Sequence, residues 1–246
     1  MTAVAIIAAL ESELQPLVKA WKKNTLIVDG KAVECHESEG AIAVAGGIGS
    51  RRAEAVARAV VEAFHPQVLV SAGLAGALIP SLKVGAVVLP NVIVDAETGV
   101  EYRCDVGGDI VGGGILVTAP EVAGAESKRR LVERFHALTV DMEAAGVARV
   151  AQQKGAAFRC VKAISDEADF VMPPLSRFVA ADGQFEQGKF VRWLALRPQH
   201  WAKAFALGRN SGRASRALCD WLRQNMAAKL QPARVVTLRE AECSKN

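Results

Sequence analysis

Several carboxylates stand where a packed interior would prefer none. The run "TVDMEA" (139–144) closes an apolar stretch with Asp141 and Glu143, and "AISDEAD" (163–169) closes another with Asp166. In "AALESELQPL" (8–17), Glu11 and Glu13 follow a wholly apolar run. A carboxylate at a strand end beside a cleft is desolvated and its pKa rises, which suits it to giving or taking a proton near neutral pH. Exposure in a loop is the plainer alternative for each. For Glu11 and Glu13 a second alternative is the favourable interaction of acidic residues with a helix N-terminus. At "VDMEA" and "AISD" no basic neighbour in the sequence offers a partner.

Two glycine-rich stretches lie at comparable places. "VAGGIGSRRAEA" (44–55) opens a helical pattern, so its backbone N–H groups can face an anion or a sugar hydroxyl. It matches neither G-x-G-x-x-G nor a G-x-x-x-x-G-K-[ST] loop. Gly49, Ser50, Arg51 and Arg52 are therefore phosphate-site candidates, with helix capping by Ser50 and solvation of both arginines as the alternative. In "SAGLAGAL" (71–78), Gly73 and Gly76 allow close approach of a ligand or of a neighbouring segment.

The elements that must carry these residues alternate in type. Short β-type runs recur at 3–10, 41–47, 67–73, 85–95, 114–119, 138–142 and 158–166, several of them continuously apolar, as in strands covered on both faces. Between them lie helical patterns at 50–64 and 144–154, the latter followed by Gly155 as a C-terminal cap. The alternation predicts an α/β three-layer sandwich around a central mixed, mostly parallel sheet. Ligands of such sheets bind at the carboxyl ends of strands, where the carboxylates fall. Residues 1–174 form the expected core and 175–246 a C-terminal helical extension, with helices at 188–196, 200–208 and 214–230 broken at Arg197-Pro198 and Gly208–Gly212. The last ten or so residues are expected to fray.

Composition sets the outer bounds. The 246 residues are 51% hydrophobic and 23% charged, ordinary values for one globular α/β domain. Neither a bilayer-spanning run nor a basic signal-peptide start is evident, which predicts a cytoplasmic protein. Cys35, Cys104, Cys160, Cys219 and Cys243 are scattered singly and read as reduced thiols, and no metal-ligand spacing occurs. The net charge of +4 hides an asymmetry: residues 1–174 hold 17 Lys/Arg against 21 Asp/Glu, whereas 175–246 hold 13 against 5. The basic section lacks a nucleic-acid-binding motif, so an anionic membrane surface or plain solvation is the better reading.

Taken in order, Glu13, "GGIG", "GLAGAL", "VDMEA" and "AISD" resemble the nucleoside phosphorylase/nucleosidase superfamily. Over residues 3–170 the chain looks most like its 5′-methylthioadenosine/S-adenosylhomocysteine nucleosidase branch. The resemblance implies a homodimer without metal or organic cofactor that breaks the N-glycosidic bond of a purine nucleoside. It implies Glu143 accepting hydrogen bonds from the ribose, Met142 against the sugar, Ile48 among the substrate-binding residues, Asp166 protonating N7 of adenine with Ser165 orienting it, and Glu13 activating water. Val122 and Ala123 fall where the family meets adenine, and Asp141 is left as a structural residue. Leu74 replaces the family's Ser in "GSAG", and the "GDPxR" phosphate loop is absent, so water and phosphate both remain open as nucleophile.

The stretch "ALRPQHWAKAFALGRNSGRASRAL" (195–218) resembles the Arg-rich tail of hopanoid-associated phosphorylases, which implies adenosylhopane as substrate. Its triterpene would need an apolar channel, for which Phe170, Met172, Phe178 and Phe185 are candidates, along with Phe190, Trp193, Trp201 and Phe205. Packing of the helical extension is the alternative. The same resemblance suggests peripheral contact with an anionic membrane. Two other functions compete: a general methylthioadenosine/adenosylhomocysteine nucleosidase, and a nucleoside- or lipid-surface-binding protein without catalysis.

Overall fold

A computed structural model describes residues 2–105, 113–172, 174–180 and 183–229. The strands are β1 (Val4–Ala8), β2 (Lys22–Val28), β3 (Lys31–Ser38), β4 (Ala41–Ala45), β5 (Val68–Ala77), β6 (Val87–Val88), β7 (Val92–Asp95), β8 (Glu101–Arg103), β9 (Ile115–Thr118), β10 (Thr139–Asp141) and β11 (Ala157–Asp166). The helices are α1 (Glu11–Val18), α2 (Ser50–Phe64), α3 (Ala125–Phe135), α4 (Ala144–Lys154), α5 (Gln187–Ala195) and α6 (Trp201–Lys229).

One mixed sheet runs β2-β3-β4-β1-β5-β10-β9-β7-β8, with β11 along the other side of β5 and β6 beyond it. β1 pairs in parallel with β4 and β5, and β11 runs parallel to β5 along nearly its full length. β10 pairs antiparallel with the far end of β5, at Gly76 and Ala77. The C-terminal half of β5 is thus flanked by β11 and β10. Three chain segments that end in carboxylates or lead into them meet there.

Burial explains the layers. On one face α2 and α4 cover the sheet through Val56, Val60, Val147 and Val150. On the other, α1 and α6 do so through Leu14, Leu17, Leu218 and Leu222. α3 packs Leu131, Val132 and Phe135 on a smaller cluster that contains Val117 and Val140. The three-layer α/β sandwich is the one expected. α2 has the expected bounds, and Gly155 caps α4 in the left-handed conformation at φ 69°.

Four sequence expectations require correction. The "SAGLAGAL" stretch is the second half of β5 rather than a turn into a helix. The hairpin β2–β3 was not expected: its strands are polar and mostly exposed, so apolar runs gave no sign of it. Its signal was the dipeptide Asp29-Gly30, with φ of 50° and 75°, the pattern of a two-residue I′ turn. The apolar run at 85–95 divides into the short strands β6 and β7. Finally, α6 continues unbroken through Gly208 and Gly212. Each interior glycine costs a helix about 1 kcal/mol, and burial of Ala214, Leu218, Cys219 and Leu222 along the same helix offsets that. Cys35, Cys104, Cys160 and Cys219 are free thiols, as expected. Cys243 and the final segment lie outside the described residues.

Candidate active site

Two glycines of β5 make room for two of the carboxylates. A Cβ at Gly73 would stand 3.2 Å from Glu13 Oε2, and one at Gly76 would stand 2.9 Å from Asp166 Oδ2. The close approach anticipated at these glycines is therefore made by catalytic-type side chains of the chain itself. Glu13 arrives from the first turn of α1, just after β1, and Asp166 ends β11. Glu143 stands at the N-cap of α4, just past β10.

The three carboxylates border one cavity of about 190 Å³, shared with Ile48, Leu74, Val122, Ala123, Met142 and Ser165, all at the expected site or beside it. Glu13 Oε2 accepts the backbone N–H groups of Ala9 (3.0 Å) and Leu10 (3.1 Å), and Oε1 accepts that of Leu74 (3.4 Å). Glu143 Oε1 accepts the N–H of Gly49 at 3.0 Å, and Oε2 that of Met142 at 3.3 Å. Asp166 Oδ1 accepts the Ser165 hydroxyl at 2.7 Å. Each carboxylate is held by hydrogen bonds from the chain itself, so its orientation is set before any ligand enters.

Electrostatics separate them. Burial pushes the Glu13 pKa up, against the pull of its backbone donors and of Lys162. Burial, and then the Asp141 charge, push Glu143 up to about 7, while Lys162 and the Gly49 N–H pull the other way. Glu143 is thus poised to exchange a proton near neutrality.

No basic residue adjoins Asp141 or Asp166 in sequence, but each finds one across the fold. Lys162 lies within β11 and pairs with Asp141 Oδ2 at 2.8 Å. Asp141 also accepts the Thr118 hydroxyl (2.8 Å) and the N–H of Ala144 (2.9 Å), so it satisfies the first free N–H of α4 as well as serving as the counter-ion of Lys162. Burial works against the Lys162 ammonium, but Asp141, Cys160 and Glu143 outweigh it and raise its pKa. Lys128, from the first turns of α3, pairs with Asp166 Oδ2 at 2.6 Å. For Lys162 the missed signal was a lysine inside an otherwise apolar strand. For Lys128 there was none, since "ESKRR" reads as a solvated helical face.

Other expected residues fall elsewhere. The Gly49 N–H is taken by Glu143, and Arg52 donates Nε to the Gly46 carbonyl at 2.6 Å and faces Asp29 at 3.3 Å. Ser50 makes no capping bond, and Arg51 is exposed. Of the four channel candidates only Met172 borders the cavity. Phe178 packs against Phe190 and Trp193 at ring separations of 5.3 and 5.5 Å, so it belongs to the packing of the extension. Phe185 borders a separate hollow with Arg52 and Gly47, and Phe170 is half-buried away from the site. Among the described residues no cluster of His, Cys, Asp or Glu has metal-binding geometry.

Known proteins agree with this architecture. A curated relative, the 5′-methylthioadenosine/S-adenosylhomocysteine nucleosidase of Marinomonas sp. (strain MWYL1), is 26% identical over 200 residues, covering 68% of this chain and 86% of its own. The Helicobacter pylori enzyme described by the same name superposes with a TM-score of 0.68 at 17% identity, over 91% of this chain and 97% of the other. Futalosine hydrolase of Helicobacter pylori superposes at 0.66 with 16% identity, over 91% and 97%. The profile described as the phosphorylase superfamily matches residues 3–113 and 104–197, nearly the whole sheet and its helices, and the chain is an enzyme belonging to that superfamily.

Proposed function

We propose that the protein hydrolyses the N-glycosidic bond of a 5′-substituted adenine nucleoside and releases adenine. The observation that carries this reading is the convergence of Glu13, Glu143 and Asp166 on one cavity. Breaking the bond builds positive charge on the ribose and negative charge on the base. Glu143, beneath the sugar position, stabilises the cation electrostatically, and Asp166, between Ser165 and Lys128, serves the base. Glu13, oriented by three backbone N–H groups and raised in pKa by burial, takes the proton of the attacking water. Val122 and Ala123 form a wall for adenine, and Met142 and Ile48 one for ribose.

Water is favoured over phosphate by charge. Five carboxylates, Glu13, Glu121, Asp141, Glu143 and Asp166, border the cavity, against two ammonium groups, Lys128 at its wall and Lys162 paired with Asp141. The N–H of Gly49 and the guanidinium of Arg52 are already engaged. A phosphate dianion placed there would meet net repulsion in a poorly screened space.

For the 5′ substituent we favour a large apolar group, such as the triterpene of adenosylhopane, over methylthio or homocysteine. Met172, Leu175 and Leu207 border the cavity, and Leu207 lies on α6. The adjoining residues of that helix, Ala204, Phe205, Gly208 and Arg209, line an apolar groove of about 620 Å³ with Phe190, Val191, Leu194 and Trp201. An apolar chain leaving the cavity past Leu207 would meet α6, whose neighbouring face carries the groove. Arg209 borders the groove, and exposed Lys189, Arg192 and Lys203 lie on the same two helices, a basic character that suits peripheral contact with the anionic inner face of the cytoplasmic membrane. No helix among the described residues is long and apolar enough to cross a membrane. A homodimer is the assembly the family resemblance suggests, and sedimentation equilibrium tests it.

The deciding experiment incubates the enzyme with methylthioadenosine and with a bulky 5′-alkyl adenosine, with and without phosphate. Mass spectrometry then identifies the sugar product. Free 5′-substituted ribose, formed faster from the bulky substrate and independently of phosphate, is expected. A 1-phosphorylated sugar would overturn the choice of water. Failure to release adenine from either compound, or undiminished release by Asp166→Asn, would overturn the reading itself.

A further inference from the structure

Lys128 is the cavity's own cation, and its placement is costly unless it is used. Its side chain and that of Asp166 are each 3% exposed, and their N···O separation is 2.6 Å. The same ammonium donates to the Glu167 carbonyl at 2.8 Å, which fixes it from a second direction. Desolvating such a pair costs several kcal/mol per ion by general experience, and apolar residues of similar volume often serve stability as well or better. Helix α3 is otherwise docked by Leu131, Val132 and Phe135 and does not need a buried lysine to hold it.

The far oxygen of Asp166 is equipped for both protonation states. The Ser165 hydroxyl lies 2.7 Å from Asp166 Oδ1 and 3.3 Å from the Ala75 carbonyl. With Asp166 ionised, the hydroxyl donates to Oδ1. With the proton given up by Lys128 on Oδ2, the hydroxyl still donates to Oδ1, now the carbonyl oxygen of the acid. Asp166 can therefore change charge without stranding a buried polar group, a property of a proton carrier rather than of a fixed structural ion.

We propose that Lys128 is the proton source behind Asp166, which passes the proton on to the departing purine. The inference rests on the hydrolytic reading above. One proton moves from the Lys128 ammonium to Asp166 and from Asp166 to a ring nitrogen of the base. The electron pair of the C1′–N9 bond stays with the base, the water oxygen bonds C1′, and the proton released by that water goes to Glu13. Solvent then carries the Glu13 proton back to the neutral Lys128 amine, so the cycle closes without a co-reactant. Lys128 acts through Asp166 and is a positioning and proton-supplying residue; Asp166 is the group that meets the substrate.

The test is a double-mutant cycle on turnover with the intact chain, using Lys128→Met, Asp166→Asn and the pair, with Lys128→Arg as the conservative variant. Lys128→Met is expected to lower kcat about 100-fold or more, the scale of lost acid catalysis, with KM changed less than about threefold. Lys128→Arg retains the charge but its guanidinium does not release a proton, so it is expected to lose kcat nearly as far as Lys128→Met; a kcat within about threefold of wild type in Lys128→Arg would show that position 128 serves by charge alone and would overturn the proton-source role. In the Asp166→Asn background, removal of Lys128 costs nothing further, because the route it feeds is already closed. The double variant leaves no unpaired buried charge, so it reports even where Lys128→Met alone folds poorly. Independent, multiplicative losses, a loss confined to KM, or a wild-type kcat in Lys128→Met would each overturn the proposal while leaving the hydrolytic reading intact. A wild-type enzyme that releases adenine from no adenosine derivative would overturn both.

Discussion

Asp141 and Lys162 form a fully buried ion pair, 2.8 Å apart, directly behind the carboxylates that face the cavity. Their side chains are 0% and 1% exposed, so neither charge is shared with solvent. Lys162 also acts on Glu143 and Glu13 by its charge, which makes it the common counter-ion of the site. Removing one member of a buried pair leaves the other uncompensated, at a cost of about 3–5 kcal/mol. Lys162→Met is therefore expected to lower the unfolding free energy by that amount, read from urea unfolding. Lys162→Met combined with Asp141→Leu is expected to recover most of it, as measured by equilibrium unfolding. A Lys162→Met protein of wild-type stability would show that the pair carries no such charge.

Glu143 ties stability to activity through pH. Its folded pKa is raised from 4.5 to about 7, so between those values the native state binds more protons than the unfolded one. Unfolding free energy then falls as pH rises through that window. The raised Glu13 contributes with the same sign. Catalysis runs the other way, because the ribose cation needs an ionised Glu143, so kcat/KM should rise with pH through about 7. Glu143→Gln is expected to be more stable than wild type at pH 8, to match it more closely at pH 4.5, and to lose at least 100-fold in turnover. Chemical denaturation at the two pH values, alongside a pH–rate profile, checks both signs.

What the sequence made legible follows from range. The apolar runs that became β1, β4, β5, β10 and β11, and the helical stripe of α2, are local patterns, and each was read in place. The site carboxylates were legible because a charged residue ending an apolar run is conspicuous. Lys128 was not: its burial is decided by Asp166, 38 positions away, and by the space left at Gly76. The β2–β3 hairpin escaped because its polar strands bury little, leaving only Asp29-Gly30 to mark it. The expected break in α6 failed for the opposite reason, since helix propensity at Gly208 and Gly212 is a small term beside the core contacts of Leu218 and Leu222.

Gly76 offers a test of the packing that positions the acid. An added Cβ would fall 2.9 Å from Asp166 Oδ2, 3.3 Å from Val140 Cγ1 and 3.4 Å from Lys128 Cε. Such contacts, all with side chains and none with backbone, are relieved chiefly by moving the ends of Asp166 and Lys128, with a few tenths of an ångström from Val140, so the sheet itself has little reason to open. Gly76→Ala is expected to keep its fold by circular dichroism and lose about 10–100-fold in kcat, the scale of a displacement of order 1 Å at a reacting group. Undiminished turnover would mean that the Asp166–Lys128 geometry tolerates displacement and does not set the rate.

The exposed face of the extension gives the last prediction. Trp201 is 54% exposed and Phe205 75%, and Val191 and Leu196 are also bare. Contiguous exposed apolar side chains on a helix with basic flanks have the composition of an interfacial segment, in which apolar burial and attraction to anionic headgroups act together. Each basic residue near such a surface contributes about 1 kcal/mol, so neutral vesicles should bind far more weakly than phosphatidylserine-containing ones. Phe205→Glu with Trp201→Glu is expected to abolish co-sedimentation with anionic vesicles while leaving release of adenine from methylthioadenosine within about twofold, because neither side chain borders the reaction cavity. Added salt should weaken wild-type binding, since Debye screening at 1 M reaches to about 3 Å. Equal binding to neutral and anionic vesicles, or retention by the double variant, would place the membrane contact elsewhere or remove it.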